Sequence, residues 1–444
     1  MAFQQGLSGL NTSARALDVI GNNIANSNTV GFKGSDAHFG DVYAAALNGG
    51  GAGQIGIGVS LMNVAQRFTQ GNISITSNPL DIAINGGGFF RLSNNGAITY
   101  TRNGQFHLDK DGAIVNDQGL YLTGYLGNTA GTINRQTPTE LRLTADQLKL
   151  APVPTGGSTG GIGYAGVQMG VNIDSRSPEM TWVPPIGPTP MIDPNDYNWT
   201  TGLTIYDSLG NPHIMNFYFV RTANTGEWDM YGNVDGTAMD GAGDSPNLTT
   251  PIVLQFDDKG QLTSINGTPT PPMEIPVSID LTQVASNLGR PDWGATSPLT
   301  FNVDLSGTTQ YGSPFVTNRL MQDGYSSGDL VGLGVNETGV VQGRYTNGQT
   351  RNLAQVVLAY FENPNGLTNI GNNQWIETYS SGQPTVDTPK SGRLGVLQSE
   401  RVEDSNVDLT DELVKMIIQQ RSYQANAQTI KTQDQIMQTI VNIR

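Results

Sequence analysis

Apolar side chains recur every four and three residues at both ends of the chain, and every second residue through much of its middle. The positions Leu409, Leu413, Met416, Gln420, Tyr423, Ala427, Ile430, Asp434, Met437 and Val441 step by four and three alternately, and all but Gln420 and Asp434 are apolar. Ile417 lies beside this row. Phe3, Leu7, Leu10, Ala14, Leu17, Gly21 and Ile24 repeat the step at the other end. Such spacing marks a coiled-coil seam, in which helices meet along a narrow apolar stripe. It predicts a first helix over residues 1 to 28, closed by Asn22, Asn23, Asn26, Asn28 and Gly31. A last helix starts at Leu409 behind the capping Asp408, with Asp411 and Glu412 in its first turn. At about 1.5 Å per residue the two are roughly 40 and 50 Å long. Matching seams suggest one paired stalk; helices packed on the chain's own β-domain would show the same stripes.

Between the helices the period changes to two. Ile73 and Ile75, then Leu80, Ile82 and Ile84, then Phe89, Phe90 and Leu92, then Tyr100, Phe106 and Leu108 read as successive strands. Four segments place Asp or Asn three residues before Gly with strand-like flanks: Asp109 to Gly112, Asp207 to Gly210, Asp257 to Gly260 and Asn336 to Gly339. They predict four hairpin turns closed by a left-handed glycine. A calcium loop would need a longer acidic segment than Asp109 to Gly112 offers. Beyond a Pro/Gly/Ser break at 151–163 come strands Val167 to Ile173, Leu203 to Tyr206 and Ile214 to Val220, with Trp228, Met230 and Tyr231 on further strand faces. A proline-rich loop at 178–194 and the stretches 236–251 and 266–275 read as exposed. Strands resume at Leu330 to Val335, Val340 to Tyr345 and Val356 to Phe361. The run LAQVVLAYF at 353–361 should be central and buried. Residues 380–400 read as irregular.

Residues 34–71 are weakly patterned. Gly51, Gly53 and Gly56 fit a dinucleotide-binding G-x-G-x-x-G, but no strand precedes them, and Ile57, Val59 and Leu61 alternate like a strand where a helix should begin. A flexible glycine loop is the reading that remains.

Composition narrows the function classes. The chain has 444 residues with 37% hydrophobic and 56 glycines, which suits short strands and many turns. Its net charge of −15 and scattered 23 basic residues argue against a nucleic-acid partner. There is no cysteine, and His38, His107 and His213 lie far apart, so no metal site, catalytic site or cofactor is expected. No catalytic motif appears in its required context, which leaves a secreted β-rich hydrolase or an adhesin as weaker alternatives. Neither a cleavable signal nor a membrane span is readable.

The expected fold class is mainly β and multidomain, with α-helical coiled-coil N- and C-terminal segments and nested, discontinuous domains. Its expected parts are a terminal helical domain of 1–32 with 403–444, an extended linker at 33–70, an inner β-domain of 71–145 with 321–402, and an inserted outer β-domain at 146–320.

Four blocks carry a resemblance: GLSGLNTSARALDVIGNNIANSNTVGFK at 6–33, NPLDIAINGGGFF at 78–90, YTRNGQFHLDKDG at 100–112 and SNVDLTDELVKMIIQQRSYQANAQTIKTQDQIMQTIVNIR at 405–444. They resemble the axial rod and hook proteins of the bacterial flagellum. The stretches 201–222 and 324–367 are similar to the hook members, which carry an inserted outer domain that rod proteins lack. The resemblance implies a homo-polymer: a curved helical tube acting as a universal joint between motor rod and filament. It also implies flagellar rod, hook-cap and hook-filament junction partners, type III export without signal cleavage, and an extracellular place in the hook. A distal rod or other axial protein is the nearest alternative.

On that reading the assembly interface is Phe3, Leu7, Leu10, Ala14, Leu17, Ile24, Leu409, Leu413, Met416, Ile417, Tyr423, Ala427, Ile430, Met437 and Val441. Gly21, Gln420 and Asp434 weaken the seam, so the termini are expected to order only when neighbouring copies complete it. The polar outer domain is expected to make wet, exchangeable contacts and to set curvature.

Overall fold

The computed structural model describes residues 2–42, 56–128, 130–157, 165–187, 189, 191–239, 247–269 and 273–442, without the side chains of 2 and 440–442. Most of the loop holding Gly51 and Gly53 lies outside these residues. The chain is mainly β with a helix at each end, Ala2–Ala25 and Leu409–Asn442. It divides into two compact units. The first comprises 1–148, 331–344 and 350–444; the second comprises 149–330 and 345–349. The second unit thus reaches past residue 320, because Val316–Gln322 pairs antiparallel with Val167–Asp174 and Asn347 Nδ2 donates to the Ser326 carbonyl.

In the first unit the apolar run at 353–361 is central, as its composition requires. Thr350–Val356 pairs with Tyr121–Leu126, and after a break at Val357 the strand Leu358–Tyr360 pairs with Phe89–Asn94 and Thr385–Asp387. Leu353, Val356, Leu358 and Phe361 are fully buried. Edge-to-face aromatic contacts join Phe89, Tyr100, Phe361, Trp375 and Phe68, with centroids 4.8 to 6.0 Å apart. The stretch 380–400, read as irregular, instead contributes Thr385–Asp387 and Val396–Ser399, the latter paired with Ile82–Asn85. Partner strands distant in sequence fix these segments; their own composition does not.

All four Asx-x-x-Gly segments form the expected turns. Gly112, Gly210, Gly260 and Gly339 have φ of 73° to 83°, and each donates its N–H to the carbonyl of the Asp or Asn three residues before. Asp408 caps the last helix by accepting from Thr410 N and Asp411 N. Residues 33–70, expected as an extended linker, contain an antiparallel hairpin, Ser35–Val42 with Gly58–Gln66. Its apolar residues do not alternate cleanly because much of it is exposed.

Two carboxylates tie the first unit together. Glu403 is fully buried. One oxygen accepts from Lys33 Nζ at 2.6 Å and Gly71 N at 2.9 Å, the other from Arg102 Nη1 at 3.2 Å, and its carbonyl takes the Gly31 N–H. Burial draws both cations' pKa values down, and Glu403 opposes it. Glu412, nearly fully buried in the last helix's first turn, accepts from Asn23 Nδ2, Arg67 Nη2 and Lys415 Nζ at 3.2, 3.2 and 2.9 Å.

The second unit is built from a seven-stranded and a five-stranded sheet. Its core is formed by the alternating inward rows, such as Met215, Phe217 and Phe219 on Pro212–Arg221 and Val167, Met169 and Val171 on Val167–Asp174. The proline-rich loop is not wholly exposed: Trp182 stacks on Tyr231 at 4.2 Å and donates Nε1–H to the carbonyl of Leu248, which is itself buried. The stretches 236–251 and 266–275 are likewise only partly exposed. Met239 is buried, and Glu274 begins the strand Glu274–Ile279. At one end of the unit His213 is buried, its Nδ1 donating to Asp235 Oδ2 at 2.8 Å and its Nε2 lying 3.6 Å from Asp207 Oδ2. Trp293 meets the ring edge-on. His38 and His107 are exposed, whereas His213 lies on a buried face of the strand Pro212–Arg221. Lys149 and Leu150 pair antiparallel with Asp329 and Gly328.

Glu412→Ala should destabilise the first unit by about 1–2 kcal/mol, since Arg67 and Lys415 remain partly hydrated when released. Faster hydrogen exchange in peptides covering 20–36 would register it. Burial lowers the His213 pKa, but Asp235 and Asp207 outweigh it and leave the folded value raised. Its stabilising contribution is therefore complete below the unfolded value of about 6.5 and lost as pH rises through the folded one. The second unit's Tm should fall over that window, and His213→Gln should flatten the dependence.

Candidate assembly surface

The two terminal helices belong to the first unit and run antiparallel. A Cβ built on Gly6 would stand 3.1 Å from Ile430 Cγ1, and one on Gly9 2.8 Å from Asn426 Nδ2. Further along, Ser13 Oγ donates to Ser422 Oγ at 3.3 Å and Asn23 Nδ2 reaches Glu412. Matched positions therefore descend on one helix as they ascend on the other. The helices approach closely because Gly6, Gly9 and Ser13 present almost no side chain.

This pairing uses a different row from the one the apolar spacing picked out. The buried face of the first helix is Gly6, Ser13, Ala16, Ile20 and Asn23 with half-buried Gly9, each one residue before a member of the apolar row. On the last helix the matching contacts come from Glu412, Ser422, Asn426 and Ile430. The paired stalk within one chain is thus held largely by small and polar residues. A search keyed to hydrophobicity passes over glycine and serine, although they carry the same four-three step.

The apolar row is left largely uncovered. Phe3, Leu7, Leu409, Leu413, Ile417, Tyr423 and Met437 are exposed, Ile417 at 51% and Met437 at 55%. Leu10, Ala14, Leu17, Ile24, Met416, Ala427 and Ile430 are half-buried, and Ile430 alone of the row is placed against Gly6. The Val441 side chain lies outside the described residues. Val414 and Ile418, which the spacing did not select, are also exposed and widen the stripe beside Leu413 and Ile417. Gln420 and Asp434 are exposed as well.

The hairpin adds a second uncovered apolar surface. Its loop end is seated on the first helix: Gln5 Nε2 donates to Gly56 O at 2.6 Å, and Gly58, with φ of 147°, lies so close to Ser8 that a Cβ would overlap its hydroxyl. Phe39, Val42, Leu61, Met62 and Val64 are exposed. Nothing in this surface is arranged for bond chemistry. Among the described residues no group of three His, Asp or Glu side chains could hold a metal, and no helix is long and apolar enough to cross a membrane. A contiguous apolar stripe on paired helices is suited to packing on other helices.

The comparisons agree along the whole length. The family described as flagella basal body rod protein matches residues 3–33, the flagellar hook protein FlgE/F/G D1 domain 83–152, the flagellar basal body protein FlaE D2 domain 172–325, and the flagellar basal body rod FlgEFG protein C-terminal 398–443. The flagellar hook protein FlgE of Salmonella typhimurium is 40% identical over 445 residues, covering both chains entirely. That of Escherichia coli K12 is 38% identical with the same coverage, and that of Borreliella burgdorferi 31% identical over all of this chain and 99% of its own. A crystal structure of the Helicobacter pylori hook protein FlgE2 overlays on 74% of this chain and all of its own, with 13% identity and a TM-score of 0.49. With full-length identity at that level, the chain belongs to the flagellar hook protein family.

Proposed function

We propose that copies of this chain polymerise through the uncovered rows of their terminal helices into the curved tube of the flagellar hook, the joint through which a rotary motor turns a filament. One observation carries the reading. The helices meet mainly through small and polar residues and leave the apolar row largely uncovered. Burying one such side chain contributes about 1.5–3 kcal/mol, and each copy offers several. Family membership supplies the identity of the polymer, a structural assembly and not an enzyme.

The division of labour we propose has four parts. The terminal helices, 1–32 with 403–444, form coiled-coil-like seams with neighbouring copies; 33–70 bridges copies; 71–148 with 331–344 and 350–402 forms the tube's middle shell; and 149–330 with 345–349 is an outer domain that governs bending. The acid excess supports the last assignment, since residues 149–330 hold 18 of the 38 acidic side chains but 6 of the 23 basic ones. Like-charged outer domains resist dry packing and slide more freely over water. Rod, cap and filament-junction proteins would meet the tube's two ends, and the flagellum's own type III apparatus would deliver the subunits.

Concentrated protein should form tubes visible by electron microscopy and recoverable by sedimentation. Ile417→Asp should raise the concentration needed about a hundredfold or more, following from about 3 kcal/mol lost at the seam. Tube formation unaffected by this charge would count against the helix rows as the interface. Residues 149 and 329 are direct strand partners, so Asn-Gly in place of 150–328 can rejoin the chain. That chain should assemble into straight tubes; tubes of unaltered curvature, or none, would contradict the role given to the outer domain.

A further inference from the structure

On the first unit, Tyr379 is fully exposed, with a relative accessibility of 103%. A large aromatic ring held wholly in water is unusual unless something covers it in the working state. The turn that carries it is rigid. Thr378 N donates to Ser381 Oγ, Thr378 Oγ to the Gly366 carbonyl, Ser381 Oγ to the Thr378 carbonyl, and Asn363 Nδ2 to the Ser380 carbonyl. Gly366 lies so close beneath that a Cβ there would stand 2.5 Å from Ser381 N. The ring is thus presented on a fixed stem, which spares most of the ordering cost of a contact.

The same unit has a groove of about 290 Å³ between the hairpin base and the segment 365–369. Val64, Phe68 and Leu367 supply its apolar surface, and Asn63, Asn365 and Asn369 bring amides to it. An apolar wall with amides is what a tyrosine needs, since its ring seeks burial and its hydroxyl seeks a partner. Neither feature carries a formal charge: the groove's lining residues are uncharged, and so are Thr378, Tyr379, Ser380, Ser381 and Gly382. Copies of a chain with net charge −15 repel, and a neutral knob and a neutral groove are where they can meet most closely.

We propose that Tyr379 of one copy inserts into the Val64–Leu367 groove of the next. Knob and groove stand side by side on each copy, since Gly366, which holds the turn, lies between the groove-lining Asn365 and Leu367; in the proposed contact each copy gives one knob and receives one, a heterologous arrangement whose repetition yields an open helical array. This inference rests on the assembly reading above and adds to the helix seams a lateral lock in the first unit.

The cysteine-free chain makes the test direct. Ser380→Cys and Asn63→Cys in one chain, which leave the Tyr379 ring in place, assembled and then mildly oxidised, should give a ladder of disulfide-linked multimers on a denaturing gel that neither single substitution gives. Tubes that form yet yield no ladder, or a product that stops at the dimer, would overturn the proposal. Tyr379→Ala, which disturbs no packing within the chain, should raise the concentration needed for tubes about tenfold with an unchanged Tm. An unchanged threshold would overturn the contact as well. If the unaltered chain forms no tubes at all, the assembly reading itself fails and takes this contact with it. Tubes without the crosslink refute only the lock.

Discussion

The fold of the first unit hangs on one buried anion. Glu403 receives Lys33 from the segment after the first helix, Gly71 from the start of the β-domain and Arg102 from its middle, and it lies a few residues before the last helix. These segments are far apart in sequence, and the carboxylate joins them at one buried point. Two cations about one carboxylate leave a net positive charge in a dry place, which is costly unless every hydrogen bond is met. Here Lys33 also donates to the Thr69 carbonyl and Arg102 to that of Gly86, while buried Arg102 Nε is left without a partner. The arrangement spends stability to obtain a single geometry. That geometry delivers both helix ends to one point, where Asn23 and Glu412 can take hold of each other.

From that point outward the helices pack closely through small residues. Glycine and serine allow a close approach but bury little apolar area, and glycine in a helix costs up to about 1 kcal/mol against alanine. A single copy keeps its apolar row largely uncovered. Close small-residue contacts set how the helices of one chain align, and the larger side chains beside them are left largely uncovered.

How much of this was legible follows from where the information lies. Local chemistry was readable: the Asx-x-x-Gly turns, the Asp408 cap and the buried run at 353–361 are each decided within a few residues. The existence of a four-three row at each terminus was readable too, but its partner was not. Ser13 and Ala16 carry the same period as Ala14 and Leu17, and only three-dimensional packing says which row faces inward. Of the hairpin at 35–66 only the alternation of Ile57, Val59 and Leu61 was readable, because an exposed strand pair has no buried side to impose a pattern on its partner. The helix Leu281–Asn287 was missed although Asp280 caps it, since seven residues are too few to show a period. Trp182 and Leu248 looked like loop residues and are core, because the strand face they cover lies elsewhere in the sequence.

The antiparallel pairing of Lys149 and Leu150 with Asp329 and Gly328 bears on the order in which the chain can fold. Until the second unit forms, the two parts of the first are joined by a tether of well over a hundred residues. Closing so long a loop costs about 3 kcal/mol more than closing a tight turn. Once the second unit is folded, its two ends are neighbouring strands, and the first unit meets its own halves at the entropic distance of a hairpin. The inserted segment then serves the rest of the chain as a prefabricated turn, and the long-range contacts gathered by Glu403 become, in effect, local ones.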